Sequence, residues 1–388
     1  MIIQSSRVWL KDHFEAAQIA IGEGKILQIL PHGSSTLDHM QGDCDFGDLR
    51  IVPGFIDVHT HGAYGCDASD ADPDGLRRWA GRITTEGVTA FLPTLVTQPL
   101  PAMCNAASHI ARMMRERSDS GCAGILGVHL EGPFLCAEYC GAQPSMAILP
   151  PSVECFRQLQ EAAEGNVRLI TLCPEKDPDF ALTRYCAERG VRVSLGHSGA
   201  DFETAVNALL NGAVSFTHVF NGMSPLHHRE PGMAGAALCA EDAFGEIIAD
   251  GHHVNPAVLA LFYRIKGRDK AIMITDSLRL KGCAADGVSG ASDGRYTLGG
   301  QEIELRGDLI YLKGTDTIAG STLRMNEGLR IAVNAGVSFE AALNSCTKNP
   351  AQMLGLGDRK GCICAGYDAD LVVLGDDYSV VSTFVAGR

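Results

Sequence analysis

The sequence predicts an α/β protein in which residues 51–354 form a (β/α)8 barrel of the TIM type. Residues 1–50 and 355–388 are predicted to form a small β-sandwich domain together. Three observations favour this fold class. Eight short apolar segments alternate with stretches of helical length, both chain ends carry strand-like segments, and polar groups recur just after the predicted strands.

The barrel is predicted from a change of rhythm at Phe55, where short apolar segments begin to alternate with longer amphipathic ones. The predicted barrel strands are Phe55–Val58, Val88–Thr94, Gly124–Leu130, Val167–Cys173, Val191–Gly196, Val214–His218, Gly245–Ala249 and Ala271–Thr275. The predicted helices are Asp74–Glu86, Pro101–Arg117, Ser152–Glu164, Pro178–Arg189, Asp201–Asn211 and Asn255–Ile265. An open doubly wound sheet is the main competitor. That fold usually has a glycine-rich phosphate turn after its first strand, where this chain has two histidines.

The remaining elements lie at the two chain ends and after the eighth barrel strand. Strands are predicted at Met1–Trp9, Ala17–Gly22, Lys25–Leu30, Ile363–Asp368 and Leu371–Leu374. We expect the strands of the two ends to pair with each other. A glycine-rich, β-like insert is predicted after the barrel strands, at Gly282–Lys313. Two helices are predicted after it, at Leu323–Asn334 and Ser338–Cys346.

Composition excludes several classes of partner. The net charge of -14 argues against nucleic acid and against an anionic membrane, because both favour a basic surface. No apolar run reaches 18 residues, and no export signal is visible near Met1, so we expect neither a membrane span nor secretion. The 14 cysteines form no CxxC pair and read as reduced thiols, which predicts a cytoplasmic protein.

The first predicted barrel strand ends in a histidine pair. Side chains alternate along a strand, so His59 and His61 point the same way and could form half of a metal site. Taken alone, such a pair is more often two ordinary polar residues at a strand–loop junction. The metal-site interpretation becomes stronger because several later predicted strands also end in a suitable ligand.

Suitable metal ligands also follow other predicted strands. Glu131 ends the third strand, His197 and His218 end the fifth and sixth, and Asp276 ends the eighth. Active sites of barrels lie at these carboxyl ends, so we expect the side chains to converge. Imidazole and carboxylate ligands suit Zn²⁺, with iron, cobalt and manganese as alternatives, and predict hydrolytic chemistry with one or two ions per subunit. Glu131 could bridge two ions, and Asp276 is the candidate general base, with a ligand role as its alternative.

A second polar cluster follows the sixth and seventh predicted strands. It contains His227, His228 and Arg229, with His252 and His253 further along. Arginine binds phosphate or carboxylate through its planar fork, so this cluster predicts an anionic small-molecule substrate. A solvated loop with incidental basic residues explains the same residues equally well.

Several motifs together resemble the N-acetylglucosamine-6-phosphate deacetylases of the amidohydrolase superfamily. They are Pro53-Gly-Phe-Ile-Asp-Val-His-Thr-His-Gly62, His129-Leu-Glu-Gly-Pro-Phe134, Leu195-Gly-His-Ser198, Thr217-His-Val-Phe-Asn-Gly-Met223, Arg229-Glu-Pro-Gly232, Ala249-Asp-Gly-His-His253 and Thr275-Asp276. The similarity extends along nearly the whole chain.

The resemblance implies hydrolysis of the acetamide of an N-acetylated amino-sugar phosphate, giving acetate and the amino-sugar phosphate. It implies that Glu131, His197 and His218 hold the main metal, that His59 and His61 hold a second, and that Asp276 is catalytic. Substrate contacts are implied at Asn221, His253, Arg229, His228, Ala142 and Gly222. In the family, the matching arginine reaches the neighbouring subunit's site, which implies a homodimer.

One residue departs from the family pattern. The family usually has a histidine twelve positions after the motif glutamate, where it polarises the substrate carbonyl, and this chain has Gln143. Glutamine can donate a neutral hydrogen bond but cannot become cationic. We expect Gln143 to take a weaker form of the same catalytic role, or to mark a changed substrate.

Three alternatives remain beside the deacetylase of N-acetyl-D-glucosamine 6-phosphate. The galactosamine epimer differs by one hydroxyl orientation. Cyclic-amide hydrolases usually bridge their metals with a carboxylated lysine, which has no counterpart at these strand ends. A catalytically silent sugar-phosphate-binding relative would need neither Asp276 nor the full ligand set.

Overall fold

A computed structural model describes residues 1–34, 43–116, 121–283 and 296–388. Its strands are β1 Ile2–Leu10, β2 His13–Gly22, β3 Lys25–Pro31, β4 Cys44–Asp45, β5 Arg50–Pro53, β6 Phe55–Thr60, β7 Gly62–Ala63, β8 Cys66–Asp67, β9 Val88–Val96, β10 Gly124–Ile125, β11 Val128–Glu131, β12 Val167–Leu172, β13 Arg192–Leu195, β14 Ser215–Phe216, β15 Phe244–Ile248, β16 Ala271–Ile274, β17 Tyr296–Leu298, β18 Gln301–Arg306, β19 Leu309–Leu312, β20 Leu371–Leu374 and β21 Val380–Phe384. Its α-helices are α1 Pro73–Arg82, α2 Leu100–Arg115, α3 Val153–Ala162, α4 Ala181–Glu188, α5 Phe202–Leu210, α6 Gly232–Cys239, α7 Pro256–Lys270, α8 Met325–Asn334, α9 Phe339–Cys346 and α10 Lys348–Met353.

Strands from both chain ends share one sheet, as the sequence predicts. Its order is β21-β20-β5-β1-β2-β3, with β4 paired to β1. The C-terminal strand β20 lies antiparallel to β5, which in turn lies parallel to β1. A separate apolar core that includes Ile3, Val8, Ile19, Leu371 and Val373 supports this sheet.

The second large sheet is a barrel of parallel strands in the order β6-β9-β11-β12-β13-β14-β15-β16, with β10 paired to β9. The first and last strands meet through backbone hydrogen bonds: the Asp276 N–H donates to the His59 carbonyl at 2.9 Å, and the His61 N–H donates to the Ser277 carbonyl at 2.9 Å. The barrel prediction is confirmed. Because all its strands run the same way, their carboxyl ends share one face.

Several of the helices begin at a side chain that caps them. Asp72, Ser152 and Asp201 accept hydrogen bonds from backbone N–H groups in the first turns of α1, α3 and α5. Each cap satisfies a donor that the helix itself leaves unpaired, which fixes the point where each connection turns into a helix. None of the helices in the described ranges has the length and apolarity needed to cross a membrane.

Some predicted elements differ from those observed. Residues 363–368 form turns and a single bridge from Asp368 to Lys25, because Gly361 and Gly366 adopt left-handed backbone conformations. Helices α6 and α10 and strand β21 were not predicted. Part of the predicted insert, residues 284–295, and the last residue of the predicted helix Pro101–Arg117 lie outside the described residues.

Candidate active site

Six side chains able to bind a metal meet at the carboxyl ends of the barrel strands. They form two adjoining groups, and within each group the ligating atoms lie within 4.8 Å of one another. The first group is His59, His61 and Asp276, and the second group is Glu131, His197 and His218. All six are buried. Residues 217 positions apart in the sequence therefore share one site, because Asp276 follows β16 and His59 lies next to the last residue of β6.

The Glu131 carboxylate lies between the two groups. Its Oε1 is 3.0 Å from Nε2 of both His197 and His218, and 3.3 Å from Nε2 of His59. Its Oε2 is 3.2 Å from Nε2 of His61. Each carboxylate oxygen has more than one acceptor site, so Glu131 is placed to serve both groups.

The second nitrogen of each histidine is held by a neighbour. Nδ1 of His61 lies 3.1 Å from the Thr94 carbonyl, Nδ1 of His197 lies 2.8 Å from that of Tyr139, and Nδ1 of His218 lies 3.1 Å from that of Asn221. A carbonyl only accepts, so these Nδ1 atoms carry the hydrogen. In the neutral rings the Nε2 lone pairs then point toward the centre of the site.

That arrangement fits a cation. Nε2 of His218 lies 3.1 Å from Nε2 of His197, and both face the Glu131 carboxylate. Lone pairs and a carboxylate repel one another unless a proton or a metal ion lies among them. The buried Nε2 of His59 and Oδ1 of Asp276 also have no hydrogen-bond partner in the described structure. Nitrogen and oxygen donors of this kind suit a divalent first-row metal such as zinc.

The electrostatics of these side chains also favour positive charge in the site. Burial works against protonation of His61, but Asp276 and Glu131 outweigh it and raise the pKa of His61 to about 9. Burial alone would raise the pKa of the Glu131 carboxyl, yet the neighbouring His59 and His197 hold that pKa well below its usual range. A bound divalent ion would take over the role of these protons.

A cavity of about 370 Å³ opens beside the two groups. Its lining includes five other residues that the sequence places at the substrate or in catalysis, which are Ala142, Gln143, Asn221, Gly222 and His253. The Asn221 Nδ2 group is buried without a hydrogen-bond partner among the described residues. His253 Nδ1 lies 2.7 Å from Asp250 Oδ2, which fixes the orientation of the ring. The cavity therefore offers polar groups for a hydrophilic ligand.

Gln143 contacts Glu131 directly. Its Oε1 accepts a hydrogen bond from the Thr97 N–H at 2.8 Å, and its Nε2 donates to Glu131 Oε2. These two contacts fix which end of the amide faces the site. The amide nitrogen carries two hydrogens, so one remains for another acceptor.

A ring of polar side chains lies in the barrel beneath the site. His129 contacts the Thr94 hydroxyl through Nδ1 at 3.2 Å and the Thr171 hydroxyl through Nε2 at 2.9 Å, and Thr171 contacts Thr217 at 2.8 Å. Burial holds the pKa of His129 well below its usual range, and the nearby His59 adds to this effect. The ring is therefore neutral. This layer supports the ligands from below.

Comparisons with known proteins decide the family. Residues 50–388 match the model of the amidohydrolase family. The chain is 40% identical over 344 residues to the N-acetylglucosamine-6-phosphate deacetylase of Bacillus subtilis, covering 88% of this chain and 84% of the relative. It is 39% identical over 359 residues to the human enzyme of that name, covering 89% and 84%. The chain belongs to the N-acetylglucosamine-6-phosphate deacetylase family of amidohydrolases.

Solved structures of the deacetylase family share the fold. The crystal structure of the Mycobacterium smegmatis enzyme superposes with a TM-score of 0.90 at 31% identity, covering 100% of this chain and 99% of that one. A mutant of the same enzyme has been solved in complex with N-acetyl-D-glucosamine-6-phosphate, also with a TM-score of 0.90 and 31% identity, covering 100% and 98%.

Two residues that the family resemblance assigns to substrate lie away from the cavity. His228 and Arg229 are exposed, and Arg229 Nη1 lies 2.7 Å from His228 Nε2. Arg229 lines a separate surface cavity of about 630 Å³ with Tyr139 and Phe202. Within one chain, then, the metal-ligand groups and this basic cluster are not in the same cavity.

Reasoning from sequence missed two buried residues of the deacetylase site, Glu246 and His129. Nδ1 of His59 lies 3.0 Å from Glu246 Oε2, and the His129 ring packs edge-to-face against His59 at 4.6 Å between centroids. Each of the two residues has a feature in the sequence from which its place in the site could have been predicted. Glu246 is a carboxylate inside an apolar barrel strand, and His129 precedes Glu131 by two positions, which puts both on one face of β11.

Proposed function

We propose that this chain hydrolyses the acetamide of N-acetyl-D-glucosamine 6-phosphate to D-glucosamine 6-phosphate and acetate. The observation that carries the proposal is the pair of adjoining metal-ligand groups beside a polar cavity of about 370 Å³. The relatives named for this activity are 34–40% identical over most of the chain, which supports the same substrate.

We propose zinc as the ion and two ions per chain, one held by the first group and one by the second, with Glu131 shared between them. Zinc bound to such ligands polarises a carbonyl and lowers the pKa of water. The other steps depend on side chains of this protein. The histidines must keep their Nε2 atoms directed toward the centre of the site, and their Nδ1 contacts hold them in that orientation.

Asp276 is the proposed proton carrier. Burial works against ionisation of its carboxyl group, but His59 and His61 outweigh it and lower the pKa of Asp276, so the carboxylate is ionised at neutral pH. An ionised carboxylate at the cavity wall can take a proton from the attacking water and deliver it to the departing amine. A ligand role in the first group is compatible with this task.

Polar groups around the cavity are proposed to hold the sugar and the acetyl carbonyl. The second N–H of Gln143 is available for the carbonyl oxygen, while its first is taken by Glu131. Asn221 Nδ2 and His253 both line the cavity and are proposed to contact the sugar phosphate, with Ala142 and Gly222 shaping the space beside them.

Reconstitution with zinc tests this function. Chelation should abolish acetate release, and titration with Zn²⁺ should restore it as two ions bind per chain. With saturating zinc, N-acetyl-D-glucosamine 6-phosphate should be turned over faster than its galactosamine epimer and faster than unphosphorylated N-acetylglucosamine. Preference for the epimer would reassign the substrate. Hydrolysis of a cyclic amide alone, or tight sugar-phosphate binding without turnover, would replace the proposed activity.

We also propose a homodimer in which Arg229 and His228 reach the neighbouring subunit's substrate. Both residues are exposed and lie outside the cavity of their own chain, which supports their contacting a phosphate held by a second copy. Leu226, three residues earlier, is 56% exposed, which suits a contact surface. Arginine is the side chain best matched to phosphate geometry.

Arg229→Ala is expected to raise KM for the phosphorylated substrate by roughly 10–100-fold, the value of one lost charge-assisted hydrogen bond. The kcat value should change little, because Arg229 does not touch the metal-ligand groups. Steady-state acetate release with phosphorylated and unphosphorylated sugars measures this, and Arg157→Ala, at an exposed site on α3, is the control. An equal effect on both sugars would remove Arg229 from the phosphate site.

Two further proposals concern location and domain limits. Buried Cys173, Cys186 and Cys346 are free thiols whose pKa values burial raises, which supports a reducing cytoplasm. The β domain is proposed to comprise residues 1–50 and 355–388, and the barrel 51–354, with β5 at the junction.

A further inference from the structure

Glu246 is a buried carboxylate with one evident task. It lies on β15 and points into the barrel, and its side chain is 0% exposed. Its Oε2 is 3.0 Å from Nδ1 of His59, the first histidine of the first group. A carboxylate on Nδ1 orients the ring and increases the electron density that Nε2 can donate to a metal.

His59 differs from the other three histidines in this respect. Nδ1 of His61, His197 and His218 each meets a backbone carbonyl. A neutral carbonyl fixes the tautomer but adds no negative charge. Among the four candidate ligand histidines, His59 is therefore the one whose Nδ1 partner is a carboxyl group, which distinguishes the first group from the second.

The burial of Glu246 also needs an explanation. Among the described residues, His59 is its only ion-pair partner within 4.0 Å, and its Oε1 has no hydrogen-bond partner. A carboxyl group buried beside a single side-chain partner depends on that partner for its stability. Glu246 is therefore best explained together with His59 and with the ion that His59 would hold in the first group.

We propose that Glu246 is a positioning residue that sets the metal affinity of the first group by acting through His59. This rests on the two-ion arrangement proposed above. Glu246 is not among the residues that line the cavity, so its effect should be confined to the occupancy of one of two metal sites.

Zinc titration of the metal-free protein tests the proposal, with a chromophoric chelator as competitor. Glu246→Leu removes the acceptor and should weaken one of two Zn²⁺ sites by about 10–100-fold, leaving the other unchanged. Glu246→Gln keeps an acceptor for the His59 N–H without the charge, so its loss of affinity should be smaller. A larger loss of zinc affinity in Glu246→Leu than in Glu246→Gln, confined to one site, is a result that loss of packing alone would not produce.

Asp177→Asn is the matched control. Asp177 is also a buried carboxylate, but it accepts from the backbone N–H groups of Leu182 and Thr183 at the start of α4, away from both groups. This variant should bind two ions with wild-type affinities. Circular dichroism should show that each variant is folded before titration.

Three results would overturn the inference. Unchanged zinc affinities in folded Glu246→Leu or Glu246→Gln would remove the positioning role, and equal weakening of both sites would reduce Glu246 to general structural support. Binding of a single ion by the wild-type chain would contradict the two-ion arrangement itself. Acetate release by the wild-type protein, measured in parallel, separates these failures from a failure of the proposed activity.

Discussion

Replacing Glu131 by glutamine is expected to have the largest effect of any single change, lowering zinc affinity at both sites by at least about 10²-fold. Glu131 lies 3.0–3.3 Å from Nε2 of all four histidines, so it is the ligand candidate that contacts both groups. The amide would keep one oxygen and place an N–H₂ donor where a cation is held. Turnover should fall by roughly 10³-fold as a result.

Metal content after dialysis, measured with acetate release, checks this prediction. Glu175→Gln is a suitable control, because Glu175 contacts the Ser198 hydroxyl and the Gly199 N–H close to His197 without facing the metal-ligand groups. The control should retain both ions. Retention of two tightly bound ions in Glu131→Gln would show that the carboxylate is not shared between the sites.

Asp276→Asn is expected to lower kcat by about 10²–10⁴-fold, the range for loss of a general acid–base group. The variant keeps nearly the same shape but cannot carry the proton from water to the leaving nitrogen. The second group contains no atom of Asp276, so its ion should remain bound.

Saturating zinc separates the two possible roles of Asp276. Activity that stays low when both sites are filled supports the proton-carrying role, since restored occupancy does not restore the lost group. Recovery of kcat on adding zinc would instead make Asp276 a ligand only. Asp250→Asn, which alters the partner of His253 at the same cavity, should change KM more than kcat and serves for comparison.

Local patterning was enough to predict the framework of this protein. The alternation of apolar strands with amphipathic segments gave the barrel, because each pattern matches one way of burying an apolar face. The same alternation placed His59 and His61 on one side of β6, and the strand ends at Glu131, His197, His218 and Asp276 converge as a parallel barrel requires. These inferences needed no knowledge of which side chains touch.

Contacts between distant strands were decided by the tertiary structure alone. Glu246 meets His59 across 187 positions, and Gln143 turns its amide toward Glu131, because barrel closure sets which inward-facing side chains are neighbours. The same closure places His228 and Arg229 outside the cavity that contains Asn221 and His253 of the same chain. Sequence determined most of the elements and the six candidate metal ligands, since both depend on short-range spacing. Only the folded barrel determined the pairing of those donors and the strength of each, since burial and charge there come from residues far apart in the chain.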